Sequence, residues 1–210
     1  EDATEVLLGN TTALPASAPV PRPLSAAVAL TDLDGDGDLD LIAGGPSLRA
    51  FRNDGASFTD ITAMFPPVRV RVTGIVAGDI NNDARTDLLL LTVTGARLMM
   101  QREAGQFVEA IGAFPGGGVA RAAALVDTDH DGDLDLFIGG LSAQPLAAAD
   151  GWQSLRTARA PSRLLRNNGN ETFTDVSAVT GLQRSEGVIA VVPTDFDNRR
   201  DIDLVTVAYG

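Results

Sequence analysis

Short apolar runs separated by turn-forming residues make up most of the sequence. Four of these runs occupy residues 25–30, 73–78, 122–126 and 188–192. The 22 Gly and 11 Pro residues lie mostly between such runs. Apolar runs of this length, bounded by turn residues, are typical of β-strands and too short for most helices. The pattern therefore predicts an all-β chain built from many short strands.

An aspartate-rich stretch follows each of these four runs, and its copies define an internal repeat. They are loop one (32–40), loop two (79–87), loop three (127–135) and loop four (195–203). The first residues of successive loops are 47, 48 and 68 residues apart. A fixed period of this length indicates a repeat architecture. The extra length of the third interval falls at 141–161, which we interpret as a loop insertion.

A second recurring element follows each of the first three loops. Its copies read FRNDGASFTDI (51–61), MQREAGQFVEA (100–110) and LRNNGNETFTDV (165–176). Gly55 and Gly169 follow Asp or Asn in these copies, and this pairing suits the positive φ of a tight hairpin turn. Each repeat is therefore predicted to contain four short antiparallel strands.

Four strands in a repeat of about 40–50 residues are the signature of a β-propeller blade. The predicted fold is an all-β propeller of four-stranded antiparallel blades, with an aspartate-rich loop between strands one and two of each blade. The units cover approximately 25–62, 70–111, 120–177 and 187–210, and the last is incomplete. Residues 1–14 fit the outer hairpin of a blade. A β-sandwich with coincidental aspartate-rich turns is the alternative, but one spacing recurring with one loop favours the propeller.

The loops have the composition of calcium sites. Side-chain oxygens at positions one, three, five and nine and a backbone carbonyl at position seven form an oxygen-only set, which suits Ca²⁺. Zn²⁺ prefers His or Cys, and Mg²⁺ takes fewer protein ligands. The expected ligands are Asp32, Asp34, Asp36, Asp38 and Asp40 in loop one, Asp79, Asn81, Asp83, Arg85 and Asp87 in loop two, and Asp127, Asp129, Asp131, Asp133 and Asp135 in loop three. Asp38, Arg85 and Asp133 stand at position seven and are expected to offer only their carbonyls.

The four loops are not equivalent. Loops one and three are complete, whereas Ala84 replaces the glycine of position six in loop two, so weaker binding is expected there. Arg199 stands at position five of loop four, where its guanidinium can pair with the remaining carboxylates in place of a cation. Two or three calcium ions are therefore expected, with none, or only a poor site, in loop four. His130, at position four of loop three, is interpreted as a solvated turn residue.

An EF-hand begins with the same spacing but needs a bidentate Glu at position twelve and flanking helices. Position twelve is Ala43, Leu90 or Ile138, and the flanking segments have strand patterns. The EF-hand interpretation therefore fails.

Composition excludes several other classes. The net charge of −12 argues against nucleic-acid binding, and the absence of Cys excludes disulfides and thiolate sites. No apolar run is long enough for a transmembrane helix, and the first residues lack the features of a signal peptide. The sequence contains no recognisable catalytic constellation, so the chain is not expected to be an enzyme.

The loops, together with FRNDGASFTDIT and LLRNNGNETFTDVS, resemble the FG-GAP/VCBS repeat family, whose members are similar to the integrin α-subunit β-propeller. The resemblance covers about residues 25–210 and is nearest to the bacterial type often associated with ASPIC/UnbV domains. The Phe-Gly pair that names the family is missing before these loops. The resemblance implies structural calcium, an extracellular or periplasmic location, and usually seven blades. A larger propeller is thus one expectation, and a four-bladed ring closed by the N-terminal strands is the other.

The expected function is a non-catalytic calcium-binding module that presents a protein- or glycan-binding surface. The insertion 141–161 and its flank supply the candidate partner-binding residues Trp152, Gln153, Arg156, Arg159 and Arg163. A purely structural propeller module of a larger protein or assembly, or an accessory domain of a carbohydrate-active enzyme, is the alternative. Calcium loops of extracellular modules bind weakly and stay empty at cytosolic calcium levels, which also favours an external compartment.

Overall fold

The computed structural model describes residues 27–103, 105–113, 119–142, 160–182, 187–199 and 201–208. These residues form fourteen β-strands, so the prediction of an all-β chain is confirmed. The strands are β1 (Ala27–Thr31), β2 (Asp40–Gly44), β3 (Arg49–Asn53), β4 (Phe58–Asp60), β5 (Val72–Gly78), β6 (Asp87–Thr92), β7 (Gly95–Glu103), β8 (Gln106–Glu109), β9 (Val119–Val126), β10 (Asp135–Ser142), β11 (Arg163–Asn167), β12 (Phe173–Asp175), β13 (Val188–Thr194) and β14 (Asp203–Ala208).

The strands form three four-stranded sheets and one hairpin. Sheet 1 has the order β1-β2-β3-β4, sheet 2 β5-β6-β7-β8 and sheet 3 β9-β10-β11-β12, and the terminal hairpin pairs β13 with β14. All neighbouring strands are antiparallel. Each aspartate-rich loop joins the first strand of its unit to the second. The repeat seen in the sequence is therefore one up-and-down sheet, the form expected of a propeller blade.

Strand register places every loop in the same way. The last residue of each first strand pairs with the aspartate at position nine of the loop that follows it. These pairs are Thr31 with Asp40, Gly78 with Asp87, Val126 with Asp135, and Thr194 with Asp203. Position nine is thus the first residue of the second strand, held at the base of the loop by the strand pairing itself.

Successive units pack face to face through their first strands. β5 contacts β1 and β2, β9 contacts β5, β6 and β7, and β13 contacts β9 and β10. A hydrophobic cluster lies between each successive pair of units. β6 is buried on both faces: Leu88 and Leu90 join the cluster with sheet 1, while Leu89 and Leu91 join the cluster with sheet 3. This double burial explains why β6 reads as a continuous apolar run, not an alternating one.

The two ends of this row of units present apolar faces. Val28 and Leu30 of β1 are 66% and 60% exposed, whereas Ile75 and Ala77, which occupy the same positions before loop two, pack against the core between sheets 1 and 2. At the other end, the terminal hairpin exposes Val192, Val205 and Val207. Both end faces therefore repeat positions that are covered wherever a neighbouring unit is present.

The FTD segments end each outer strand with a hydrogen-bonded turn. In sheet 1 the Asp60 carboxylate accepts from the Thr62 amide at 2.9 Å, and the Thr62 hydroxyl accepts from the Ala50 amide at 3.0 Å. Asp175 and Ser177 do the same in sheet 3, where the Ser177 hydroxyl accepts from the Leu164 amide at 3.0 Å. Short helical turns begin there, a 3₁₀ turn at Thr62–Met64 and helix α1 at Ser177–Thr180. The motif ties the outer strand back to the third strand.

Neither of these two helical segments of the described chain approaches the length and hydrophobicity needed to cross a bilayer. The proposed N-terminal hairpin (1–14) lies outside the described residues, as do residues 143–159 of the insertion.

The Asp60 interactions predict a specific acid sensitivity. Hydrogen bonds from Thr62, and secondarily from Arg49, lower the pKa of Asp60 from 3.8 to about 2. Because the folded-state pKa is depressed, the stabilisation is present above about pH 4 and is lost as the pH falls towards 2. We expect Asp60→Asn to lower the free energy of unfolding at pH 5 and to make little difference near pH 2, as measured by urea unfolding. A gap between the two proteins that does not change with pH would contradict this role.

Candidate metal centres

The carboxylate at position nine joins its loop to the third strand of the same sheet. Asp40, Asp87 and Asp135 are completely buried. One oxygen of each accepts from the amide of position two: Leu33 at 2.8 Å, Ile80 at 3.0 Å and Thr128 at 3.1 Å. The other accepts from the last part of the third strand: Asn53, Gln101 and Asn167, each at 2.8 Å. Position nine therefore has a structural role that sequence reasoning did not include, beside its predicted role as a ligand.

The carboxylate at position one organises the tip of the loop. Asp32 accepts from the amides of Gly35 at 2.7 Å and Gly37 at 3.0 Å, and Asp79 accepts from Asp83 at 3.1 Å and Ala84 at 2.8 Å. Each loop thus curls around its first aspartate. This curl brings the side chains of positions one and three towards one point.

Loop three gathers its carboxylates as the spacing predicts. Oxygens of Asp127, Asp129 and Asp131 lie within 4.8 Å of one another. The Asp127 Oδ1 atom is buried and has no hydrogen-bond partner. Burial raises the pKa of Asp129, and the charges of Asp131 and Asp135 raise it further. A buried charged oxygen without a partner is costly, and a cation at this point would supply the missing partner. The residues of loop three therefore fit a calcium ion.

Loop one gathers a slightly different set. Oxygens of Asp32, Asp34 and Asp40 lie within 4.8 Å of one another, and Asp36 stands outside this group. The pKa of Asp34 is raised by burial, and the nearby carboxylates of Asp36 and Asp40 add to the shift. Asp38 is exposed, and its amide donates to Asp36 at 2.9 Å. Arg52 Nε lies 3.7 Å from Asp34 Oδ2 and compensates part of this charge, which distinguishes loop one from loop three.

Loop two is the least well assembled of the four: its carboxylates do not converge within 4.8 Å as those of the other three described loops do. The Asn81 Oδ1 atom is buried without a hydrogen-bond partner, as expected of an oxygen directed at a cation. Burial, with the charges of Asp83 and Asp79, raises the pKa of Asp87 to about 6. However, the side chain of Arg85 pairs with Asp83 at 3.1 Å, which partly neutralises a predicted ligand. Ala84 has a φ of +62°, a left-handed conformation that costs energy without glycine.

Loop four also brings its carboxylates together, but the positively charged side chain of Arg199 lies beside them. Oxygens of Asp195, Asp197 and Asp203 lie within 4.8 Å of one another. The Arg199 guanidinium lies 3.2 Å from Asp197 and is 79% exposed, so it pairs at the rim of the cluster. Asp203 also accepts from the Phe196 amide at 2.9 Å, which repeats the bond seen at position nine of the other loops. The absence of calcium from this loop stays a prediction.

Amide side chains link loops one and two to the next unit, and sequence reasoning missed them. The Gln101 side chain donates to the Leu33 carbonyl of loop one at 2.7 Å, and that of Asn167 donates to the Ile80 carbonyl of loop two at 2.8 Å. Both residues are buried. The sequence did contain a signal for them: an amide residue stands at the equivalent position of the third strand in each four-stranded unit, just before the hairpin turn. The loops are therefore fastened from two sheets at once.

Among the candidate partner-binding residues, only Arg163 lies in the described part of the chain. It is the first residue of β11, partly buried, beside Asp175. Arg49 and Arg97 have similar places in sheets 1 and 2, where they pair with Asp60 and Glu109. This arrangement favours a role for Arg163 within its sheet. Trp152, Gln153, Arg156 and Arg159 lie outside the described residues.

Comparison with known families agrees with this geometry. Residues 32–90 match the model of the FG-GAP-like repeat. This segment, less than half of the chain, is therefore similar to an FG-GAP-like repeat. The matched segment runs from the first aspartate of loop one, through β2 to β5 and loop two, into β6, and over these residues it confirms the resemblance to FG-GAP repeats drawn from the sequence. No curated protein matches the chain.

The backbone of loop two predicts an engineering result. Gly37 and Gly132, at the position of Ala84, have φ values of +93° and +92°. We expect Ala84→Gly to raise the free energy of unfolding by about 0.5–1 kcal/mol, because glycine adopts this conformation without strain. Gly132→Ala is the matched control. No atom lies within 4 Å of the added Cβ, so any loss comes from the backbone alone. Urea unfolding that shows no gain for Ala84→Gly would contradict this account of loop two.

Proposed function

We propose that the chain is a non-catalytic, calcium-stabilised β-propeller module that presents a binding surface to a protein or glycan. The observation that carries the calcium part is loop three, where three carboxylates converge and one buried oxygen lacks a partner. Folding builds this arrangement against the mutual repulsion of the carboxylates. Such repulsion is tolerable where a cation compensates it.

The donor set supports Ca²⁺ over other metals. Every predicted ligand atom in loops one to three is an oxygen, from carboxylates, one amide side chain and backbone carbonyls. Ca²⁺ accepts six to eight such ligands in flexible geometry. When bound, the ion neutralises the clustered charge and ties the loop to the start of the second strand. Loops one and three are proposed as the better sites, loop two as a weaker one and loop four as empty.

The packing of the sheets supports the propeller. Contacts between successive first strands are the arrangement that blades make around a central axis. The exposed apolar faces of β1 and of the terminal hairpin repeat positions that are covered between the other units. Exposed apolar patches of this kind mark surfaces that pack against a partner. We propose that further blade-like units cover both faces in the complete ring.

Calcium chemistry also supports an extracellular or periplasmic location. Calcium sites in extracellular modules bind with dissociation constants of about 10⁻⁴–10⁻³ M. Such sites fill outside the cell and stay empty in resting cytosol. The proposed binding surface is the insertion 141–161, which interrupts the repeat between β10 and β11.

A purely structural module of a larger protein or assembly is the second candidate, and an accessory domain of a carbohydrate-active enzyme is a variant of it. The exposed end faces favour this candidate, since they suit docking against another folded unit. Deleting the insertion separates the two functions. A binding module loses affinity for its glycan or protein ligand on a glycan or protein array, whereas a structural module shows the same array pattern with and without the insertion.

Calcium is expected to act as a folding ligand. At ten times the dissociation constant each filled site adds about 1.4 kcal/mol, so three sites add about 4 kcal/mol and raise the melting temperature by roughly 10 °C. Thermal melts in calcium and in chelator measure this shift. Asp129→Ala, which removes a ligand oxygen of loop three, should remove about a third of it, while Asp60→Asn should lower stability equally in both conditions. An identical melting temperature with calcium and with chelator would refute the calcium function.

A further inference from the structure

Loops two and three are joined directly by a side-chain hydrogen bond. The Asn82 Nδ2 atom donates to Asp133 Oδ1 at 2.6 Å and lies 3.4 Å from the carbonyl oxygen of Gly132. Asn82 is at position four of loop two, and Asp133 is at position seven of loop three. The two residues are 51 positions apart in the chain and belong to neighbouring sheets. The side chain of Asn82 therefore connects the tips of the two loops.

Both partners are embedded in predicted ligand sets. Asn82 lies between Asn81 and Asp83, in a left-handed conformation with φ +57° that Asn tolerates well. Asp133 is expected to offer its carbonyl to the cation of loop three, and its amide donates to Asp131 at 2.9 Å. A change in the backbone of either residue therefore moves ligands of its own loop and the hydrogen bond to the other loop.

Two further contacts hold loop two against sheet 3. The Asn167 side chain bridges the Ile80 carbonyl of loop two and the Leu134 carbonyl of loop three, at 2.8 and 3.2 Å. Arg102 of β7 pairs with Glu171 in the β11–β12 turn. These contacts fix the position of sheet 2 relative to sheet 3. The Asn82–Asp133 bond therefore connects two loops that other contacts already hold next to each other.

The junction between loops one and two lacks this bond. Position four of loop one is Gly35, which has no side chain, and position seven of loop two is Arg85, which pairs within its own loop. A cavity of about 280 Å³ lies between these two loops. A hydrogen bond from the Thr86 hydroxyl to the Asp32 carbonyl, at 3.0 Å, joins these two loops near the ends of the strands. The Asn82-type bond between loop tips is therefore present at the junction of loops two and three and missing at the junction of loops one and two, where Thr86 makes a different contact.

We propose that loops two and three bind calcium cooperatively, and that the Asn82–Asp133 hydrogen bond carries the coupling. This inference rests on the proposed calcium function. Ligation through the Asp133 carbonyl orders its carboxylate, which then holds Asn82 and the ligands on either side of it. Binding of the first ion therefore includes the loss of conformational entropy of both loops. The second ion binds to a loop that is already ordered, so its affinity is higher.

Repulsion between two bound divalent cations acts against this coupling. That repulsion is the same whether or not position 82 has a side chain, so a comparison of variants isolates the hydrogen bond. Asn82→Gly removes the donor while keeping the left-handed backbone, and it recreates the residue that loop one has at this position. Asn198→Gly is the matched control, because Asn198 occupies position four of loop four with φ +59° and is exposed.

The test is a calcium titration of the intact chain followed by NMR, with the backbone amides of residues 79–87 and 127–135 read separately. Asp129→Ala removes the side-chain oxygen at position three and disables loop three. In the otherwise unchanged chain, we expect this variant to weaken calcium binding by loop two about three- to fivefold, the effect of one modest hydrogen bond. In the Asn82→Gly background the same variant should leave the affinity of loop two unchanged. Asn198→Gly should preserve the three- to fivefold effect.

The outcomes separate the two proposals. If the amides of neither loop respond to calcium, the proposed function fails. If both loops respond but Asp129→Ala leaves the affinity of loop two unchanged, calcium binding stands and the coupling is refuted. If the coupling persists in Asn82→Gly, the loops communicate by another route and the assignment to this hydrogen bond is refuted. Loss of coupling in Asn82→Gly, but not in Asn198→Gly, supports the proposal.

Discussion

A buried carboxylate at position nine anchors every complete unit of this fold. Burying a charge is expensive unless hydrogen bonds satisfy it, and Asp40, Asp87 and Asp135 each accept two backbone amides. One amide comes from the loop and the other from the third strand, so the carboxylate fastens the loop to the paired second and third strands. The loop can hold its other aspartates close together because its base is fastened in this way.

The same architecture makes neighbouring units depend on one another. The cores lie between sheets, and buried amide side chains from one sheet close the loop of the preceding unit. A single unit therefore exposes both its apolar faces and its loop carbonyls. This explains why Val28 and Leu30 are exposed at one end of the row, although residues at the same positions elsewhere are packed. Repeat proteins stabilised through neighbour contacts behave in this way.

Local sequence patterns predicted the strands, the hairpin glycines and the placement of each loop, because these depend on residues close together in the chain. The positive φ of Gly55 and Gly169 and the position of the loops between first and second strands agree with the structure. Contacts between units were not predictable in this way. Asn82 meets Asp133, and Asn167 meets Ile80, across long sequence separations that only the stacking of sheets closes. For the same reason, the sequence suggested that Arg163 binds a partner, whereas in its sheet Arg163 occupies the position that Arg49 and Arg97 occupy in sheets 1 and 2.

Calcium binding by the clustered carboxylates is the proposal on which the other proposals depend. It is tested most directly by counting calcium bound to the intact chain in equilibrium dialysis, at concentrations spanning about 10⁻⁵–10⁻² M, a range that brackets the affinities of extracellular modules. We expect two ions to bind first, as loops one and three fill, a third to bind at higher concentration, as loop two fills, and saturation at three ions per chain. A chain that binds no calcium above the buffer control across this range would contradict it.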